Sequence, residues 1–264
     1  MHKFEKHEIV ITEAIIDNYA DKYIELRSKI ANDLDIDNDP RFKNLGFSTE
    51  QLKQIIKKNT IPIRNSIRPM NDIYRSDLGE MILTLYFDKE NEEYGDSFII
   101  PLKNIWDREH NDLPGRGIDV TGYKFNNDKI EILIGEAKVS EEKKNPPQAS
   151  QEIFLEQKKY TENKEYFKRR ISNYSKKLTP EHAKNFMLVL VALECEVEDV
   201  YDVLYGCCLV RDSTCFNDAD YGNMKTNCNN FDPNKIQFLI PTFDKSIKDT
   251  IDLFYKKVTE KVNG

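Results

Sequence analysis

The 264-residue chain has no run of about 18 consecutive apolar residues, and without one no membrane-spanning helix is expected. It lacks GxGxxG, the GxxxxGK[S/T] phosphate loop and GxSxG. Dinucleotide-binding, nucleoside-triphosphatase and serine-hydrolase chemistries therefore lose their sequence support. Cysteine is scarce: Cys195, Cys207, Cys208, Cys215 and Cys228 are an odd five, all in the last third, with no CxxC pair. A reduced, cytoplasmic protein fits this pattern better than a disulfide or zinc framework. The N-terminus, MHKFEKHEIVITEA, has no apolar stretch ending in a cleavage site, so no signal peptide is expected. No internal repeat is visible. Positive charge is also short. The net charge is −7 and the pI about 5.3, a poor balance for an autonomous nucleic-acid binder, whose affinity comes largely from Lys and Arg on phosphates. Either the basic residues cluster or a partner delivers the substrate.

What the chain does have is a concentrated stretch from Arg116 to Lys138. GRGIDVTGYKF and KIEILIGEAKV flank a turn of Asn126, Asn127 and Asp128, the pattern of a β-hairpin. In the second arm Ile130, Ile132, Ile134, Glu136 and Lys138 share one face, and Glu131, Leu133, Gly135, Ala137 and Val139 the other. A turn of two or four residues pairs Phe125 with Ile130, Tyr123 with Ile132, Thr121 with Ile134 and Asp119 with Glu136. It also sets Lys124 against Glu131, opposite charges that favour this register. A three-residue turn would put Asp119 and Glu136 on opposite faces.

In the favoured register an apolar face ends abruptly in Asp119, Glu136 and Lys138. Carboxylates this close repel unless a cation lies between them. A hard divalent ion, Mg2+ or Mn2+, suits such a pair, completed by waters and phosphate oxygens. Lys138 is placed to orient or deprotonate a water and to stabilise charge on a phosphate. A lone D…ExK pattern is ordinarily a solvated surface; here the apolar face and the helix before it favour a site.

That helix is residues 70–87, MNDIYRSDLGEMILTLYF, apolar over most of its circumference and therefore buried. Its narrow polar sector holds Asp77, Glu80 and Thr84. A buried Glu80 needs a metal or a partner such as Arg75 or Arg64. Upstream, residues 8–16 are expected to start as a strand and pass into a helix to about Leu34, with Ile24, Leu26, Ile30 and Leu34 inward. Asn32–Pro40 is a solvated loop without the Gly and closing Glu of a calcium site. Ser48 with Gln51 forms a capping box for a helix to about Lys58. Ile61–Pro69 is extended and Ser97–Leu102 a strand. The following loop contains His110, by default an ordinary loop histidine, and Arg116, a candidate phosphate contact.

After Lys138, a linker with Pro146 and Pro147 leads to a helical region over 148–177. Gln148 and Gln151 at its start are candidates for touching a metal-bound water or phosphate. Residues 141–177 hold ten Lys or Arg against six Glu; with Tyr160, Tyr166, Phe167 and Tyr174 interleaved, Lys168, Arg169 and Arg170 are candidate nucleic-acid contacts. The plain alternative is a solvated lysine-rich face. Asn185–Leu193, NFMLVLVAL, reads as a strand buried on both faces. Tyr205–Val210 and Lys235–Ile240 read as strands, 212–233 as a long loop, and Asp244 as the cap of a terminal amphipathic helix with Ile247, Ile251, Phe254, Tyr255 and Val258 inward.

A buried helix bearing Glu80, a strand, Asp119 on one hairpin arm, Glu136-Ala137-Lys138 on the other and then a helix together resemble the PD-(D/E)xK nuclease superfamily over about residues 70–165. Gly117-Ile118-Asp119 stands where that pattern has Pro-Asp. The RSDLGE helix, the LPGRGID loop, GEAK and the overall size resemble, more narrowly, the HamA family of the bacterial Hachiman anti-phage system. The resemblance implies an α/β fold: a PD-(D/E)xK core with a mixed central sheet flanked by helices, an N-terminal elaboration over 1–69 and a nuclease-like domain over 70–264. It implies a metal-dependent deoxyribonuclease working with the superfamily 2 helicase HamB, with Glu80, Asp119 and Glu136 arranging the metal and Lys138 the water. The rival functions are a catalytically silent module binding a helicase or DNA, and a nuclease of the same fold acting in repair or on RNA. An intact Asp119, Glu136 and Lys138 set speaks against the first rival.

Overall fold

Alternating and apolar β-prone segments build a five-stranded mixed sheet between two layers of helices. The computed structural model describes residues 1–29, 34, 36, 38–63, 71–89, 97–103, 105 and 118–264. In chain order these include β1 (Lys3–Ile9), α1 (Glu13–Arg27), α2 (Pro40–Lys43), α3 (Thr49–Thr60), α4 (Asn71–Phe87), β2 (Val120–Asn126), β3 (Lys129–Ser140), α5 (Gln148–Glu162), α6 (Lys164–Ser175), α7 (Pro180–Cys195), β4 (Tyr201–Asp212), α8 (Gly222–Thr226), β5 (Lys235–Phe243) and α9 (Ile247–Asn263). The strand order is β1-β5-β4-β3-β2. The first four run parallel and β2 is antiparallel to β3.

The hairpin has the favoured register: Phe125 opposite Ile130, Tyr123 opposite Ile132, Thr121 opposite Ile134, closed by Asn126 opposite Lys129. Asn127 in the two-residue turn has φ 55°, a conformation Asn tolerates. Lys124 and Glu131 form the expected cross-strand pair, Nζ to Oε2 3.0 Å. Ile130, Ile132 and Ile134 pack with α5, α6 and α7. Leu133 and Ala137, on the other face, pack with α1, α4 and α9.

α4 is buried nearly all round, as its composition requires. It lies close on β3 because of Gly79: a Cβ there would meet Val139 Cγ2 at 3.1 Å and Ala137 Cβ at 3.6 Å. The polar sector of α4 is divided. Asp77 accepts hydrogen bonds from Arg27 Nη2 at 2.5 Å and Tyr23 Oη at 2.8 Å, a fully buried ion pair that ties α1 to α4. The Ser48–Gln51 capping box starts α3 as expected. All five cysteines are free. No helix among the described residues is long and apolar enough to cross a membrane.

Several expectations are corrected. Asn185–Leu193 is not a strand but part of α7. Thr179-Pro180 starts a helix, and Asn185, Phe186, Val189, Ala192 and Leu193 of the run are buried, with Leu190 packed partly against the core. An apolar run lacking polar residues carries no period to tell helix from strand. The helix expected over 148–177 is interrupted at Asn163, whose side chain accepts from the Tyr166 amide at 2.9 Å and so caps α6. Residues 8–16 pass from strand to helix, β1 ending at Ile9 and Thr12 capping α1, but that helix stops at Arg27 rather than near Leu34. In the stripe expected on that helix, Leu26 is buried but Leu34 is exposed, and Ile30 lies outside the described residues. Ser97–Leu102 contributes only isolated bridges, Phe98 to Asp88 and Ile99 to Tyr123. Ser246 caps α9 instead of Asp244, which accepts from the Ile11 amide at 2.7 Å. Residues 212–233 contain α8 and short 3-10 turns, fastened by a fully buried Arg211. Its guanidinium donates to Asp220 Oδ2 at 2.9 Å, Ser140 O at 2.9 Å, Asn145 Oδ1 at 3.2 Å and Cys215 O at 3.0 Å. This also fixes the chain that follows Lys138.

Candidate functional site

The β2–β3 ladder stops at Val120 opposite Gly135. One residue beyond, the backbone of Asp119 leaves the ladder and its carboxylate takes over, Oδ2 accepting from the Ala137 amide at 2.8 Å. Asp119 thereby sits at the end of the hairpin beside Glu136, as the register predicts. Glu136 is 7 % exposed, and Lys138 Nζ reaches its Oε1 at 2.5 Å.

The electrostatics follow from this crowding. Burial pushes the Asp119 carboxyl well above the usual carboxylate range, and the charges of Glu136 and Glu80 push it further. Lys138 and the Ala137 amide oppose the shift. Glu136 is also raised by burial, against the pull of Lys138. Burial works to lower the pKa of Lys138, but Glu136 and Asp119 outweigh it and hold the ammonium above its ordinary value. Lys138 is thus a cation and a donor, which favours orientation and charge stabilisation over proton abstraction.

Glu80 reaches the same place from the other side of the sheet. It is buried on α4, its Oε1 accepts from Ser76 Oγ at 3.1 Å, and its charge acts on Asp119. Of the two neighbours considered for it, Arg75 pairs instead with Glu141 at 2.8 Å, and Arg64 lies outside the described residues. Among the described residues no three His, Cys, Asp or Glu side chains form a group able to hold a metal ion. Asp119 and Glu136 are therefore a two-carboxylate set with Glu80 behind it.

The remaining candidates are spread out. Arg116 and His110 lie outside the described residues. The Gln148 amide N–H donates to Glu142 at 3.0 Å and its side chain to Glu152 at 3.0 Å. Gln151 Oε1 accepts from Asn223 at 2.7 Å, which turns it toward α8. Lys168 is paired with Glu165 at 3.0 Å and with Glu194. Arg169 is exposed and lies over the Tyr166 ring at 5.7 Å. Arg170 is the one of that run tied back to the site. It donates to Tyr166 Oη at 3.1 and 2.9 Å, and Tyr166 Oη donates to Glu156 Oε1 at 2.8 Å.

That chain ends on residues the sequence analysis did not single out as a group. Glu152, Glu156 and Lys159 share a flank of α5 beside the charged end of β3. Glu156 and Lys159 act on Glu136, and Glu152 on Lys138. Lys159 Nζ holds Glu156 Oε2 at 2.5 Å. Burial tends to raise the Glu156 carboxyl, but Lys159 and Tyr166 prevail and keep it low and ionised. The signal was present: positions 152, 156 and 159 share one helical face, while Ile153, Gln157 and Tyr160 are buried on another.

Fold and site together define an α/β protein whose mixed sheet carries two carboxylates and a lysine at the open end of a hairpin, with a third carboxylate from the covering helix. The chain belongs to the HamA family, whose model matches residues 10–260. No curated protein matches the chain.

Proposed function

We propose that this protein is a divalent-metal-dependent deoxyribonuclease of Hachiman anti-phage defence, built on a PD-(D/E)xK core and working with the helicase HamB. The observation that carries the proposal is the convergence of Asp119, Glu136 and Lys138 at the hairpin end. Family membership supports the defence role and the helicase partner. The donor set fits Mg2+ or Mn2+, which take hard oxygen ligands and need only one or two carboxylates when waters and phosphate supply the rest. Repulsion of Asp119 by Glu136 and Glu80 is the strain such an ion relieves. When bound, the ion supplies Lewis acidity and eases the ionisation of water near neutral pH.

The chain's own residues do the rest. Asp119 and Glu136 provide the oxygen ligands, and the Ala137 amide keeps Asp119 oriented. Glu80, fixed by α4, keeps the carboxylate side of the site negative. Lys138 stays protonated, positions the attacking water through its N–H groups and stabilises charge developing on the phosphate. Glu156, held by Lys159 and Tyr166, keeps cations beside Glu136 that can meet the flanking strand. The acidic pI of about 5.3 fits a nuclease that relies on a partner to bring it to DNA. Cleavage of plasmid, linear DNA and RNA, with Mg2+ or EDTA and with or without HamB, tests the proposal. DNA loss only with Mg2+ supports it, and preferential loss of RNA would replace the substrate.

A further inference from the structure

The segment between β3 and α5 begins Glu141-Glu142-Lys143-Lys144 and continues Asn145-Pro146-Pro147. The fold treats its two signs of charge differently. Glu141 Oε1 pairs with Arg75 Nη2 at 2.8 Å. Glu142 Oε2 accepts from the Gln148 amide at 3.0 Å, at the N-terminus of α5, where a negative charge is favoured. Both carboxylates are thus turned back onto the protein, one to α4 and one to α5. Lys143 and Lys144 are exposed, and among the described residues no carboxylate holds either ammonium.

The loop that carries the two lysines is fastened. The buried Arg211 guanidinium donates to Ser140 O at 2.9 Å and to Asn145 Oδ1 at 3.2 Å, so one side chain grips the chain on both sides of them. The Glu142 amide closes the loop further on Ser140 Oγ at 3.3 Å. A loop ordered in advance loses less conformational freedom on binding than a mobile one. Its distance from the proposed site is bounded by chain length. Lys143 comes five residues after Lys138, so the two backbones are at most about 18 Å apart. Each strand of a DNA duplex carries one phosphate per about 3.4 Å of helix axis. A strand whose reacting phosphate lies at Lys138 therefore has further phosphates within that span. Lys168, in contrast, is already shared by Glu165 and Glu194.

We infer that Lys143 and Lys144 bind the phosphate backbone of a DNA duplex beside the proposed cleavage site. The substrate class rests on the nuclease reading, but the contact is read by binding alone. The test is fluorescence anisotropy of a duplex oligonucleotide with the full chain in EDTA, from about 50 to 200 mM salt. Lys143→Ala with Lys144→Ala should weaken binding and lower the slope of log affinity against log salt by about two. Lys143→Arg with Lys144→Arg should keep both near wild type. Lys176→Ala with Lys184→Ala removes two exposed lysines elsewhere and should leave the slope unchanged. In Mg2+ with HamB, the first pair should raise KM and leave kcat unchanged, the mark of a contact made equally before and during the reaction. Weakened binding in a protein that never cuts DNA keeps the contact and removes the nuclease reading. Wild-type affinity and salt slope in the Lys143, Lys144 alanine variant overturn the inference. So does an equal loss in the Lys176, Lys184 variant, or a wild-type chain that binds no duplex at the lowest salt.

Discussion

Asp119 Oδ2 accepts the Ala137 amide hydrogen at 2.8 Å, so a side chain continues the ladder that the backbone has left. The bond holds one carboxylate against the strand bearing Glu136 and Lys138. It works against the burial, and the repulsion from Glu136 and Glu80, that raise the Asp119 carboxyl. Four predictions rest on this geometry and on the packing behind it.

The first concerns pH. Asp119 and Glu136 have folded-state values above their unfolded ones, so the native state holds more protons than the unfolded state. Their contribution to stability is full below the unfolded carboxyl range, about pH 4, and is lost as pH rises through the raised folded values. Without divalent metal the melting temperature should therefore fall across this rise in pH. Asp119→Asn should flatten the fall, and Mg2+ should stabilise the wild type more at pH 8 than at pH 5. A metal effect independent of pH would contradict the paired-carboxylate account.

A second prediction separates the basic residues. Lys159→Ala should lower affinity for an oligonucleotide, measured by anisotropy in EDTA, and reduce the salt slope by about one. Lys168→Ala should change little, because that ammonium is shared by two carboxylates, Glu165 and Glu194, whereas Lys159 has one and acts on Glu136. Arg170→Ala should resemble Lys159→Ala in direction, since it supports Glu156 through Tyr166. Equal effects at 159 and 168 would show that the charges act as an undifferentiated track.

Arg211 provides a stability test. Arg211→Met leaves Asp220 buried and unpaired, a change that should cost about 3–5 kcal/mol. Arg211→Met with Asp220→Leu should cost less than the single change, because no lone charge remains. Urea unfolding reads both, and a single change within error of wild type would mean that the pair does not fasten the 212–233 segment.

At Gly79, replacement by Leu should force α4 off Val139 and Ala137, at a cost of about 1–3 kcal/mol. The same displacement should move Glu80 from Asp119, so the pH-dependent fall in melting temperature should also become shallower. An unchanged slope would show that Glu80 does not act on Asp119.

Much of this architecture was legible in the sequence where short-range chemistry decides it. The hairpin followed from the turn residues Asn126, Asn127 and Asp128 and its register from Lys124 opposite Glu131, and α4 from apolar residues covering its circumference. α7 was not legible, because an eight-residue apolar run, Phe186–Leu193, looks the same as a strand or as a helix with an uncovered face. The Glu152, Glu156 and Lys159 side of the site depended on which face of α5 meets β3, a tertiary fact. Arg211, a lone cation after an apolar strand, gave no local sign of its partner Asp220, nine residues on.

The central claim is that the hairpin end is a metal-dependent nuclease centre, and Glu136→Ala with Lys138→Ala tests it most directly. Both side chains stand beyond the Ile130, Ile132 and Ile134 stripe, so the melting temperature should stay near or slightly above that of the wild type. The measurement is the initial rate of DNA cleavage in Mg2+ for both proteins, with HamB present. Loss of one preorganised stabilising group typically costs about 10²–10³ in rate, and losing two should cost more than 10³. A folded double variant that cuts DNA at the wild-type rate would contradict the assignment.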